Sequence, residues 1–128
     1  MITIELHMEP SLRAALADAP RLIESALTDA LMDAGMEIAN DARPRTPYLT
    51  GSLRRSIQAR QNGDGTVSVG SELPYAARIE YGFRGTDSRG RSFNQSAQPY
   101  LRPAFDENRA RVRQAMADAL VDALRRIR

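Results

Sequence analysis

Enzymatic chemistry needs a nucleophile, a titratable base or a metal ligand, and this chain is poor in all three. Its one histidine is His7 and it has no cysteine. That removes thiolate catalysis, cysteine-bound zinc and a disulfide framework, and fits assembly in a reducing compartment. All 18 basic residues are arginine, so Schiff-base chemistry, Ser-Lys nucleophiles and a lysine-dependent phosphate loop are unavailable. His7 lies in Ile2-Thr3-Ile4-Glu5-Leu6-His7-Met8, apolar at even positions and polar at odd ones; the alternation predicts a half-buried strand with His7 facing solvent. Carboxylates remain. Asp29, Asp33 and Glu37 recur at helical spacing, which predicts a solvated helix face rather than a general acid/base pair. No active site assembles, no metal or cofactor is expected, and the chain reads as a non-enzyme.

The arginines carry more information by where they fall. Residues 1–41 hold two of them against eight carboxylates, a net of −6, while residues 42–128 hold the other 16 against eight, a net of +8. The overall charge of +2 conceals this split. A basic half can face nucleic acid or meet the acidic half of a neighbouring copy. The absence of lysine has two open explanations, a GC-rich coding sequence or a use for guanidinium groups. No apolar run approaches the ~20 residues that a membrane helix needs. The segment MITIELHMEP lacks a signal peptide's basic-then-apolar layout, so no membrane partner is expected.

The elements that must position these residues follow from periodicity. At 128 residues the expectation is one domain spanning 1–128 with a modest core. After the first strand, Leu12 to Ala19 reads as a short helix, and Pro20 suits the first turn of a second. Ile23, Ala26, Leu27, Ala30, Leu31, Ala34 and Ile38 keep one apolar stripe, Gly35 suggests close packing against another element, and Arg43-Pro44-Arg45-Thr46-Pro47 ends the helix. Leu53 to Gln61 and Thr66 to Ser71 read as strands around the turn Asn62-Gly63-Asp64-Gly65. Tyr75 to Gly82 fits either a helical turn or a strand; the reading adopted is a short helix running into an extended piece. Residues 83–98 form a long Gly-, Ser- and Arg-rich loop, expected to be mobile. A strong helix begins near Pro103, with an apolar stripe from Phe105 through Val112, Met116, Ala119, Leu120, Ala123 and Leu124 to Ile127. Asp106 and Glu107 are expected in its first turn, and Arg125, Arg126 and Arg128 in its last. The fold class is α+β: a small, mostly antiparallel sheet packed against a long helix from the N-terminal half and a long C-terminal helix.

Three blocks between Pro44 and Ala104 carry a resemblance. The first is Pro47-Tyr48-Leu49-Thr50-Gly51-Ser52-Leu53-Arg54-Arg55-Ser56-Ile57. The second runs from Val69-Gly70-Ser71 through Tyr75-Ala76-Ala77-Arg78-Ile79-Glu80-Tyr81-Gly82. The third is Gln98-Pro99-Tyr100-Leu101-Arg102-Pro103-Ala104-Phe105. In order and spacing they resemble the neck and tail-completion family (minor tail components, head–tail joining proteins) of long-tailed bacteriophages. Phe83, where that family often has threonine, and Gln98, where it usually has arginine, depart from the pattern.

The resemblance implies a structural virion protein, assembled in the bacterial host cytoplasm, that joins the head connector to the tail as one copy in a homo-oligomeric ring. Its partners would be its own copies, the adjoining head-connector and tail proteins and, non-specifically, DNA in the channel. Thr50, Gly51, Leu53, Tyr75, Gly82, Pro99, Tyr100 and Pro103 are the structural motif. Candidate contacts are Arg54, Arg55, Glu80, Arg84, Arg89, Arg91 and Arg102. Glu80 and Arg102 could pair within one protomer, pair across copies or stay unpaired. Arg84, Arg89 and Arg91 could order against a neighbouring ring, line the lumen near DNA or remain solvated. Two other functions stay open, a tail terminator subunit and a small basic nucleic-acid-binding module. Phage, prophage remnant and tail-like particle are equally compatible sources.

Overall fold

A computed structural model describes residues 1–47, 51–86 and 88–127 of the chain. Strand β1 (Ile2–Leu6) pairs antiparallel with β3 (Val67–Ser71), which pairs antiparallel on its other side with β2 (Gln58–Gln61). The sheet order is β1-β3-β2. The N-terminal alternation holds: Ile2, Leu6 and Met8 are buried, while Thr3, Glu5 and His7 are exposed. Gly70 sits where β1 and β3 come closest, because a Cβ there would lie 2.0 Å from the Ile2 carbonyl oxygen.

One face of the sheet is covered by α2 (Arg21–Ala42). Its stripe of Ile23, Leu27, Leu31, Ala34 and Ile38 is buried, each large side chain contributing roughly 1.5–3 kcal/mol relative to exposure. Gly35 is the point of closest approach, since a Cβ there would stand 2.7 Å from Val67 Cγ1. The other long helix, α5 (Leu101–Arg126), runs beside α2 in the opposite sense. At one end Asn108 donates to Asp41 at 2.7 Å and Arg45 pairs with Glu107. At the other, Ala123 packs with Ile23, Leu27 and Leu16, the last from the short α1 (Pro10–Leu16). The opposite face of the sheet is open, with Thr3, Glu5, Gln58, Arg60 and Ser68 lining a shallow depression.

The α+β class, the two long helices and the turn at 62–65 stand as expected. Five local expectations do not. The stretch from Leu53 to Gln61 is not one strand: α3 (Ser52–Ser56) occupies its first half. Gly51 at φ 77° reverses the chain, the Ser56 hydroxyl donates to the Leu53 carbonyl at 2.6 Å, and Leu53 and Ile57, four residues apart, both enter the core. The long loop after Gly82 contains a second sheet, β4 (Phe83–Thr86) paired antiparallel with β5 (Ser92–Gln95). Helix α5 starts at Leu101, so Asp106 and Glu107 lie beyond its first turn. Its stripe is covered as far as Ala123, whereas Leu124 and Ile127 are exposed.

The segment from Tyr75 to Gly82 resolves as a helix, α4 (Ala76–Tyr81), running into β4. Pro20 caps α2 from just outside rather than occupying its first turn.

Candidate functional site

The second and third motif blocks, about twenty residues apart in sequence, meet in space. Glu80 on α4 is 3% exposed. Its Oε1 accepts the backbone N–H of Leu101 at 2.7 Å and those of Tyr100 and Arg102 at 3.4 Å each. These are the first donors of a 26-residue helix, which no intrahelical carbonyl can satisfy. A carboxylate there also meets the positive end of the helix dipole, worth about 0.3–1 kcal/mol when exposed and up to about 2 when partly buried. The helix lacks acid in its first turn; Glu80 supplies that charge from another element.

Tyr100 closes the joint from the other side. It is fully buried, and its phenol donates to the Ala76 carbonyl at 2.9 Å. Burial, with the Glu80 charge nearby, pushes the phenol well above its ordinary pKa, so it stays a neutral donor. The Gln98 N–H donates to the Ile79 carbonyl at 2.8 Å. Gly82 turns the chain out of α4 at φ 80°, and a Cβ there would lie 2.8 Å from the Gln95 carbonyl oxygen. Pro103 occupies the third residue of α5, where a missing N–H leaves no bond unmade. Tyr75 caps α4, and Pro99 is exposed just before Tyr100. This joint holds the root of the β4–β5 hairpin, the arm, against the start of α5.

The arm has two unlike faces. Phe83, Gly85, Phe93 and Gln95 share one side by register, and Arg84, Thr86, Ser92 and Asn94 share the other. The phenyl rings stand 6.2 Å apart, and the Arg78 guanidinium covers Phe83 at 4.1 Å. On the polar side Arg84 donates to Asn94 at 3.4 Å. Arg89 and Arg91 lie in the connecting turn, exposed, and each contacts other groups of the chain.

The remaining predicted residues lie elsewhere. Arg54 and Arg55 sit on α3. Arg54 is half-buried, and its Nε has no hydrogen-bond partner among the described residues. Arg55 reaches Ser52 Oγ at 3.5 Å. Leu53 is a core residue, and Thr50, with Tyr48 and Leu49, lies outside the described residues. The side chain of Arg102 turns to Asp106 at 3.4 Å and lies over the Phe105 ring; Glu80 meets only its backbone.

Pattern reading missed Arg43 and Asn108. The Arg43 guanidinium donates twice to the Ile57 carbonyl, at 2.7 and 3.2 Å, tying the end of α2 to the start of β2. Asn108 is buried and bridges Ala104 to Asp41. A polar residue on the α5 stripe between Phe105 and Val112 was the available signal. Among the described residues no group of three or more His, Cys, Asp or Glu could hold a metal ion. No described helix is long and apolar enough to cross a membrane.

A family model described as "Bacteriophage HK97-gp10, putative tail-component" matches residues 11–82, more than half of the chain. The chain belongs to the HK97-gp10-like family. That makes this HK97-gp10-like protein a bacteriophage tail component, structural in role, found in the virion among other phage structural proteins. The match takes in α2, α3, the strands β2 and β3, and α4, and ends at Gly82; β1 lies before it. The arm and α5 lie beyond it. No curated protein and no solved structure matches the chain.

Proposed function

We infer that this HK97-gp10-like chain is a neck or tail-completion subunit that joins head connector to tail as one copy in a ring, and that it makes and breaks no covalent bonds. One observation carries the ring: the chain presents two unlike charged surfaces, the acidic outer side of α2 and an arginine-bearing arm held at a buried joint. Ring closure requires such heterologous contact, one face meeting a different face of the next copy. In this reading the arm, residues 83–98, is mobile in the free subunit and orders against its neighbour. Equal protease protection of the arm in free and assembled protein would count against that ordering.

The test is deletion of the gene with complementation in trans. Filled heads and normal-length tails that fail to join are the expected products. Tails of abnormal length would favour the terminator position instead, and a full yield of joined particles would overturn both. A nucleic-acid module is the weaker alternative. The open sheet face offers Thr3, Glu5, Gln58, Arg60 and Ser68, with no aromatic platform for bases and with mixed charge.

A further inference from the structure

The ring reading leaves open which surfaces meet, and two features select a pair. The first is on α2. Asp29, Asp33 and Glu37 follow at i, i+4 and i+8, all exposed on one side of the helix, and none forms an ion pair among the described residues. Like charges four apart destabilise a helix on its own, so this stripe opposes the element that carries it. Met36, 50% exposed, lies beside the acids.

The second feature is the arm. Its strands pair only with each other, and every residue of β5 is exposed. The phenyl side is covered in part by Arg78 of the same chain. The opposite side carries Arg84, with Arg89 and Arg91 adding positive charge at the turn. The dimensions agree. Neighbouring acids of the stripe, four residues apart, are about 6 Å apart along the helix. Arg84 and Ser92, the strand residue next to Arg91, are two register positions apart, about 7 Å along the hairpin.

We propose that the Arg84 face of one copy's β4–β5 arm seats along the Asp29–Asp33–Glu37 stripe of the next copy. The occupant is a second copy because one chain carries both complementary surfaces on different elements, the arrangement that propagates head to tail. This rests on the ring reading above and specifies its contact.

The test uses the full chain. One variant reverses the stripe (Asp29→Arg, Asp33→Arg, Glu37→Arg), another reverses the arm (Arg84→Glu, Arg89→Glu, Arg91→Glu), and a third carries all six changes. Circular dichroism checks that each folds. By sedimentation velocity, each single-surface variant self-associates at least tenfold more weakly than wild type. An equimolar mixture of the two, and the sixfold variant, recover assembly. Because the chain has no cysteine, Met36→Cys and Ser92→Cys copies give an independent readout in isolated particles. Oxidation of mixed particles yields mainly disulfides that join position 36 of one copy to position 92 of another. Reversed variants that assemble like wild type, or links mainly between like positions, overturn this contact and leave the ring standing. A wild-type chain that is monomeric in solution and present singly in particles overturns the ring itself.

Discussion

Replacing Glu80 tests the joint on which the arm and the last helix both depend. In the folded chain its carboxylate takes one strong hydrogen bond, at 2.7 Å from Leu101, and two longer ones, with 3% of the residue exposed. Glu80→Ala removes the acceptor and leaves the Leu101 N–H buried and unsatisfied, at a cost of about 1–3 kcal/mol. Loss of the charge at the dipole end adds about 0.3–2 kcal/mol. A combined loss of about 3 kcal/mol is expected, and Glu80→Gln, which keeps an oxygen but not the charge, should lose about half of it. Urea unfolding followed by far-ultraviolet circular dichroism measures both. The m-value should stay constant, since the surface exposed on unfolding is unchanged. An Ala variant within about 0.5 kcal/mol of wild type, the range of ordinary surface substitutions, would refute the capping role. So would a Gln variant less stable than Ala.

Gly35→Ala brings a methyl group to 2.7 Å from Val67 Cγ1; overpacking of about 1–3 kcal/mol should exceed the roughly 1 kcal/mol gained in helix propensity. Adding Val67→Ala should recover part of the loss, and a double-mutant cycle showing no coupling would contradict the packing described. Tyr100→Phe should cost about 1–2 kcal/mol by leaving the Ala76 carbonyl without its donor. The Tyr100 phenol is raised above its unfolded value, so its contribution is complete below about pH 10 and declines as pH rises further. Spectrophotometric titration of the native protein should find one of its four tyrosines resistant to alkali, and this resistance should vanish in the Phe variant. Gly82→Ala combines a left-handed φ of 80° with a clash against the Gln95 carbonyl. It should loosen the arm root, seen as faster amide exchange at Gln98, whose N–H bonds to Ile79.

What could be read from the sequence was what periodicity encodes. The β1 alternation, the α2 stripe and the α5 stripe each come from many residues repeating one geometric rule, so single exceptions such as Gly35 did not obscure them. Gly35 itself was legible as a close-packing site, because a helix interior tolerates glycine poorly without such a reason. The errors fall where a few residues decide. In the Leu53–Gln61 stretch, Gly51 and the Leu53–Ile57 pair convert the first half into a helical turn, and β-like composition outweighed that spacing. The arm was hidden by its polar, glycine-containing turn, although Phe83 and Phe93 flank it on one side. Glu80 stands out by motif, but its contacts do not: a bond to the backbone of residues 100–102 leaves no trace in side-chain pattern, and of the options open for Glu80 and Arg102 the sequence favours none.

One carboxylate serves two elements, and this has a mechanical consequence. Glu80 lies three residues before the arm begins and grips the first residues of a helix about 39 Å long. The arm can flex along its length, but it cannot be tilted at its root without loosening the start of that helix. A load applied at residues 83–95 therefore reaches the far end of α5, where Ala123 rests on Ile23 and Leu27. The hairpin is a handle, and the long helix is the shaft to which it is fixed.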